Sequence, residues 1–441
     1  MAQRSPFYKS ALVAAAALVT LFALSRLAQA VEVQKVVSPE GIEAWLVEDH
    51  TVPIIAMNFS FDGGSTQDPI GKEGLTRLLA ASLDEGAGDL SSEEFQGRME
   101  ELAVSIGFNT GRDRFYGSLR TLSPTLAEAS DLLALAVNEP RFDEAPVDRM
   151  KTQLKTQIKR NESDPNAIAG RSLAGAMFGD HRYARPTLGT AKTLAALEKA
   201  DLQKQHGKLL SKQGLTIGVV GAIDAETLAP ILDKVFSSLP EQTDLATVSD
   251  LAPLSGETIH RELTVPQTTI LLAVPGLMRD DPDYQAAYVM NHILGGGTFT
   301  SWMYQEVREK RGLSYGASTS LSPYRHTGLL IGSAATQSAR AAETVGVMLD
   351  QLKRMATTGP SNAELDAAKR FITGSYALRF DSSGKIARQL VALQNAGLGI
   401  DYFDRRNSEI NAVTLEDVQR VAKRLLAENK PTIITVGQEQ G

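Results

Sequence analysis

The hydrophobic pattern of this chain alternates between short strand-like runs and amphipathic helices. Residues 52–61, VPIIAMNFSF, form an apolar run that ends at an Asp-Gly-Gly turn and predicts a strand. Residues 74–85 carry leucines at helical spacing on one face and predict a helix. The same order recurs later, where residues 268–274 predict a strand and residues 283–294 a helix. Strands mixed with several helices indicate an α+β fold, with largely antiparallel sheets covered by helices.

Two segments indicate that the chain repeats itself. Residues 201–221 (DLQKQHGKLLSKQGLTIGVVG) and residues 417–437 (DVQRVAKRLLAENKPTIITVG) align without a gap, 216 residues apart. Each combines a helix that has Leu-Leu near its end with a strand that closes on Val-Gly. We therefore predict two tandem homologous domains, at residues 31–239 and 257–441, joined by a polar, proline-bearing linker at residues 240–256.

The N-terminus has the pattern of a secretory signal. Arg4 and Lys9 precede an apolar run at residues 11–24, and small residues in an A-x-A arrangement end at Ala30. This run is shorter than the ~20 residues that a membrane-spanning helix needs. We therefore expect cleavage after Ala30, a fold that excludes residues 1–30, and a periplasmic location; an uncleaved membrane anchor is the alternative. No later segment is apolar enough to cross a bilayer.

Composition removes several classes of function. The net charge of −7 comes without long runs of one sign, which argues against nucleic acid as a partner. Because the chain has no cysteine, disulfides, thiolate metal sites and cysteine nucleophiles are excluded. The six histidines never pair at the spacing of metal ligands; they are His50, His181, His206, His260, His292 and His326.

The candidate chemistry lies in residues 294–315, LGGGTFTSWMYQEVREKRGLSY. A glycine turn opens this stretch, a helix is predicted over residues 301–310, and Gly312 is suited to end that helix before a strand. Arg308 and Tyr315 then flank the helix-to-strand turn. Arginine offers a forked cation to a carbonyl or carboxylate, and a tyrosine hydroxyl donates to a developing oxyanion. From the residues alone, an ordinary helix-end arginine and a half-buried strand tyrosine remain the alternative.

The sequence GGG…QEVREKRGLSYG resembles the C-terminal domain of the pitrilysin and mitochondrial-processing-peptidase family of zinc metallopeptidases, the inverzincins. Residues 61–86 resemble the family's first strand, glycine turn and helix, and HRYARPTLGT at residues 181–190 is similar to another of its loops. The resemblance covers essentially the whole chain after residue 30. It implies that Arg308 and Tyr315 bind the substrate backbone and stabilise the transition state.

The zinc site of that family is missing from the matching helix. In the family, a His-x-x-Glu-His motif supplies two zinc ligands and a general base, and a glutamate on a later helix is the third ligand. Here the histidine positions are Arg77 and Ala81, the general-base position is Ala80, and the third-ligand position is Gln157. Alanine has no donor atom, arginine repels a cation, and a neutral amide is a poor zinc ligand. We therefore predict that this chain binds no metal.

The resemblance implies a division of labour between two subunits. We expect this chain to be the metal-free subunit of a heterodimeric periplasmic zinc peptidase, inactive on its own. A homologous partner with the His-x-x-Glu-His motif would hold the zinc, and this chain would bind an extended peptide substrate through Arg308 and Tyr315. One alternative is a non-catalytic peptide-binding or scaffold protein of the same fold. A stand-alone metallopeptidase is the least favoured reading, because no other cluster of histidines and carboxylates supports it.

Overall fold

Two β-sheets, one in each half of the chain, organise the structure. The computed structural model describes residues 32–438, so the predicted signal peptide at residues 1–30 lies outside the described residues. The first sheet has six strands and the second has five. Among the helices of residues 32–438, none has the length and apolar character that a membrane span requires.

The first sheet and its helices come from the first half of the chain. Its strands are β1 (Gln34–Val37), β2 (Glu43–Glu48), β3 (Ile54–Asp62), β4 (Ser105–Thr110), β5 (Arg114–Leu122) and β6 (Thr216–Gly221). Its helices are α1 (Leu75–Ala80), α2 (Ser92–Glu101), α3 (Leu126–Asn138), α4 (Glu144–Asn161), α5 (Pro165–Phe178), α6 (Ala191–Ala195), α7 (Lys199–Leu209) and α8 (Ala225–Phe236). The strand order is β1-β2-β6-β3-β5-β4, and only β2 and β6 run parallel.

The second half builds its sheet from β7 (Thr258–Glu262), β8 (Gln267–Pro275), β9 (Ser314–Pro323), β10 (Gly328–Gln337) and β11 (Thr432–Gly437). Its helices are α9 (Tyr284–Asn291), α10 (Trp302–Tyr304), α11 (Ala341–Thr357), α12 (Asn362–Gly374), α13 (Ser383–Asn395), α14 (Tyr402–Ala412) and α15 (Leu415–Ala422). The order is β7-β11-β8-β10-β9, with β7 and β11 parallel.

The two halves are copies of one unit. The order β2-β6-β3-β5-β4 in the first sheet has the same pattern as β7-β11-β8-β10-β9 in the second, including the single parallel pair. Strands β6 and β11 are the last strands of their halves in chain order. They begin at Thr216 and Thr432, which are 216 residues apart, like the two repeated sequence segments. The α+β fold with two tandem, largely antiparallel sheets is therefore confirmed.

Each sheet packs against helices on both faces. On the second face, the helix comes from the other half of the chain. Helix α13 packs its Ala387 and Leu390 against Trp45, Val47 and Val220 of the first sheet, all of them buried. In return, α5 packs on the second sheet, and the buried cluster there joins residues of both halves: Ala169, Leu173, Ala176, Met177, Phe178, Tyr183, Ala273, Leu329, Ile434 and Val436. This exchange of helices fixes the two domains against each other.

Polar contacts complete the junction between the two halves. Asn395, at the end of α13, donates to the hydroxyl of Ser60 (3.0 Å) and accepts from that of Thr216 (2.9 Å). Residues 240–256 form no helix or strand. The Leu254 N–H donates to the Met177 carbonyl (2.9 Å), which belongs to α5.

Three predicted helices are shorter or differently wound than their hydrophobic periodicity indicates. Helix α1 ends at Ala80 rather than at residue 85. The turns that follow still bury Leu83, so the apolar spacing continues beyond the helix without helical backbone. The helices predicted at residues 283–294 and 301–310 each end in a π-helical turn, at His292–Gly296 and Gln305–Glu309. Such turns are common at functional sites.

Replacement of Gly218 by alanine tests the packing of α13 on the first sheet. A Cβ atom there would lie 2.6 Å from the Ala387 carbonyl oxygen and 2.7 Å from Leu390 Cβ, so the helix must move. We expect Gly218→Ala to lower the free energy of unfolding by about 1–3 kcal/mol. Gly346→Ala, on an open face of α11, should instead raise it by about 0.5–1 kcal/mol. Urea unfolding of both variants measures this; equal effects would show that α13 does not pack closely here.

Candidate functional site

Helix α1 occupies the place of the zinc-binding helix of the resembling family. A buried carboxylate fixes its start: Asp68 accepts from the backbone N–H groups of Gly74 and Thr76, each at 2.9 Å, and from the Thr76 hydroxyl. Burial raises the pKa of Asp68 to about 6 in spite of these hydrogen bonds. These hydrogen bonds therefore fix the N-terminus of α1.

The structure brings three of the four zinc-motif positions to one pocket. Arg77, Ala81 and Gln157 line it together, where α1 faces α4, whereas Ala80 turns into the core and is 2% exposed. The Arg77 guanidinium donates to the Asn109 side chain on the edge strand β4. The other lining residues are Met150, Thr152, Gln153, Leu154, Thr156 and Arg160. The pocket thus has two guanidiniums and neither a carboxylate nor an imidazole.

No alternative metal centre is present in residues 32–438, where no group of three or more His, Asp or Glu side chains could hold an ion. The histidines have structural contacts instead. His206 Nε2 lies 2.8 Å from the Val137 carbonyl oxygen, and the His292 ring stacks on Phe371. Burial lowers the pKa of both rings.

Arg308 and Tyr315 meet as the helix-to-strand turn predicts. Arg308 lies in the π-helical turn after α10, and Tyr315 is the second residue of β9. The guanidinium carbon of Arg308 is 4.5 Å from the centre of the Tyr315 ring and 4.9 Å from that of Tyr304, and its Nη1 donates to the Tyr304 hydroxyl. Cation–π contacts of this kind fix the position of an arginine without neutralising its charge.

The backbone between them explains the approach. Gly312 has a positive φ of 56°, which glycine adopts without strain, and its N–H donates to the Arg308 carbonyl (2.8 Å). The chain therefore turns back sharply, and β9 starts next to the arginine. Tyr315 is 86% exposed and its hydroxyl has no hydrogen bond among the described residues. The pair thus exposes a cation and a hydroxyl donor side by side at the surface.

A cavity of about 1130 Å³ between the two domains was not predicted from the sequence. Strands β4 and β5 form one wall, and α9, α13 and α14 form the other. Two spacings could have indicated the second wall. Tyr284 and Tyr288 are four residues apart on α9, and Tyr402 and Arg406 are four apart on α14, so each pair lies on one helix face.

Comparison with known families agrees with this architecture. The sequence profile described as "Insulinase (Peptidase family M16)" matches residues 44–191, and the profile described as "Peptidase M16 inactive domain" matches residues 196–372. The first profile lies within the first half of the repeat, and the second runs from the end of that half into the second half.

Relatives of similar length match almost end to end. "Non-peptidase homolog YmxG" from Helicobacter pylori is 23% identical over 402 residues, which are 89% of this chain and 91% of that protein. "Uncharacterized zinc protease YmxG" from Bacillus subtilis is 26% identical over 397 residues, 88% of this chain and 94% of that protein. The crystal structure of a peptidase M16 inactive domain from Pseudomonas fluorescens is 29% identical, with a TM-score of 0.87, over 93% of this chain and 98% of that one. With both halves matched in sequence and in fold, this chain belongs to peptidase family M16.

Proposed function

We propose that this chain is the metal-free subunit of a heterodimeric periplasmic zinc peptidase. In this proposal it binds an extended peptide substrate and supplies Arg308 and Tyr315 to the zinc site of a homologous partner. The observation that carries the proposal is the exposed Arg308–Tyr315 pair, kept in a chain whose zinc-motif positions hold no ligand. The periplasmic location rests on the signal-like sequence of residues 1–30.

The state of α1 supports the absence of zinc from this subunit. Ala80 is buried in the core, and Arg77 is directed to Asn109 of β4, so the helix serves as a packing element. Two guanidiniums in the pocket repel a divalent cation. Restoring zinc binding would require a change at all three ligand positions, and restoring the general base a fourth change at Ala80.

The geometry of Arg308 and Tyr315 supports a role at the reacting carbonyl. The two aromatic rings hold Arg308, and its Nε lies 3.8 Å from a Glu309 carboxylate oxygen, beyond hydrogen-bond distance, so the guanidinium keeps N–H donors for a substrate carbonyl. The exposed Tyr315 hydroxyl would donate to the oxyanion that forms when the carbonyl is attacked. The zinc of the partner would supply the attacking water. The pair has no nucleophile or base of its own, which is why the proposal requires a second subunit.

A non-catalytic peptide-binding or scaffold protein is the second candidate. The name of the relative from Helicobacter pylori, a non-peptidase homolog, favours it. The 86% exposure of Tyr315 favours the catalytic pair, because a scaffold would not need an unpaired tyrosine hydroxyl at the surface. Turnover measured with the zinc-bearing subunit separates the two candidates.

Removal of the Tyr315 hydroxyl tests its role in the transition state. Loss of one oxyanion donor costs about 10²–10³ in kcat. We therefore expect Tyr315→Phe, combined with the partner, to reduce kcat by this factor while the far-UV circular dichroism stays unchanged, since the exposed hydroxyl makes no contact within the described residues. An unchanged kcat would refute the assignment.

Arg308→Lys tests the arginine, because lysine keeps the charge and loses the planar fork. We expect it to lower kcat/KM by about tenfold or more. Arg311→Lys is the matched control, since Arg311 follows the same helical turn and its guanidinium pairs closely with Glu306 at 2.5 Å. An equal effect of both substitutions would contradict a specific role for Arg308.

Zinc content tests the division of labour. We expect the purified chain to retain no zinc after dialysis, and its complex with the partner to retain about one equivalent, because three or four protein ligands are needed for a stable site. Mass spectrometry of the metal content of both samples measures this. Stoichiometric zinc in the isolated chain would overturn the proposal.

A further inference from the structure

The cavity between the domains is strongly cationic, although the whole chain carries a net charge of −7. Asp113 is the only acidic residue in its lining. The lining contains six arginines, two of which, Arg114 and Arg325, share the single carboxylate of Asp62 at 3.1 Å and 2.8 Å. The other four have no carboxylate within ion-pair distance in the part of the chain that the structure describes: Arg112, Arg279, Arg388 and Arg406.

Arg406 is the most informative of these four residues. It is 5% exposed, and its guanidinium lies 3.9 Å from the centre of the Tyr376 ring and 6.0 Å from that of Tyr288. One N–H donates to the Asn407 side chain (3.0 Å), which leaves donors without an anionic partner. Burying an uncompensated charge is costly, so a residue of this kind is expected where an anion binds.

The wall around Arg406 is built to hold guanidiniums in place. Arg279 lies 4.2 Å from the centre of the Tyr284 ring and donates to the Tyr402 hydroxyl (2.8 Å). Because Tyr402 and Arg406 are one helical turn apart on α14, as are Tyr284 and Tyr288 on α9, the two arginines form successive layers on tyrosine rings. The exposed Arg388 on α13 adds a third cation to the same wall.

A fourth cation lies in a different part of the cavity. Arg112, between β4 and β5, is held by the Tyr183 carbonyl (3.1 Å) and lies over the rings of Phe178 and Tyr324. Its partners belong to other elements than those of Arg406. Three of the cations therefore share one wall, and Arg112 lies apart from them among other residues.

We propose that this interdomain cavity binds acidic peptide segments, with Arg279, Arg388 and Arg406 holding carboxylates at one wall. Guanidinium forks match carboxylates, and three cations at one wall with a fourth elsewhere in the lining suit several carboxylates along one chain better than a single small anion. The tyrosine rings provide contact area for the chain between them. The outer strand β4, whose Gly107 and Asn109 line the cavity, offers free backbone groups to an extended polypeptide.

The proposal deepens the peptide-binding part of the proposed function, on which it rests, but it needs no zinc and no partner. Its test uses the isolated full-length chain, whereas the test of Tyr315 uses turnover of the complex. Failure of the peptide-binding test would therefore leave the role of Tyr315 to be decided by turnover, and failure of the Tyr315 test would leave the cavity to be decided by peptide binding.

Fluorescence anisotropy with labelled hexaglutamate, hexaglutamine and hexalysine peptides measures the preference directly. We expect hexaglutamate to bind at least about tenfold more tightly than hexaglutamine, hexalysine not to bind, and added salt to weaken the hexaglutamate complex. Inorganic pyrophosphate serves as the small-anion probe and should compete poorly. Equal binding of hexaglutamate and hexaglutamine, or binding of pyrophosphate without hexaglutamate, would overturn the proposal.

Substitutions locate the binding site. We expect Arg388→Gln to weaken hexaglutamate binding about tenfold and Arg406→Gln about 30-fold or more, because the buried cation makes the stronger contact. Arg98→Gln, which removes an exposed arginine of α2, is the matched control and should leave binding unchanged. Circular dichroism checks that each variant folds; if Arg406→Gln does not, Arg279→Gln takes its place. Hexaglutamate binding that survives the substitutions at 388 and at 406 or 279 contradicts the assignment.

Discussion

The exchange of one helix between the two domains is the contact on which the rest of the structure depends. Neither sheet buries its second face with helices of its own half: α13 covers part of the first sheet, and α5 covers part of the second. Because α13 lies over β2, β6 and β3, it leaves β5 and β4 uncovered, and that uncovered area becomes a wall of the interdomain cavity. One packing solution thus fixes the domains, buries two apolar faces and creates a cavity of about 1130 Å³.

The two segments that resemble the family have different surroundings in the structure. Helix α1 has the buried leucines and the N-terminal hydrogen bonds of a packing helix, and none of its side chains is suited to hold an ion. Arg308 and Tyr315, in contrast, contribute little to any core, because Tyr315 is exposed and Arg308 is held at the surface by the Tyr304 and Tyr315 rings, a hydrogen bond to Tyr304 and a long ion pair with Glu309 (3.8 Å). Folding alone explains α1. It does not explain an exposed tyrosine beside a fixed arginine, and this difference favours a role for the pair outside the isolated chain.

The sequence indicates which faces are buried but not what covers them. The repeat at residues 201–221 and 417–437 predicted the two domains, and the glycine at 312 predicted the turn that brings Arg308 to Tyr315. The apolar positions of α13 follow helical spacing. Their partner, the sheet of the other domain, lies more than 160 residues away in sequence and leaves no local signal.

Other features escaped prediction for local reasons. The π-helical turns after α9 and α10 differ from α-helix by one hydrogen-bond step, which hydrophobic periodicity does not resolve. The cationic cavity depends on arginines such as Arg112 and Arg406, which are far apart in the chain and ordinary in their own segments. Only the packing of the two domains brings them to one space.

The most direct measurement of the central claim is peptide cleavage by three samples: this chain alone, a homologous subunit with the His-x-x-Glu-His motif alone, and the two mixed in equal amounts. The division of labour predicts no cleavage by this chain, little by the zinc subunit, and full activity only in the mixture. Cleavage by this chain alone, or equal activity of the zinc subunit with and without it, would contradict the account.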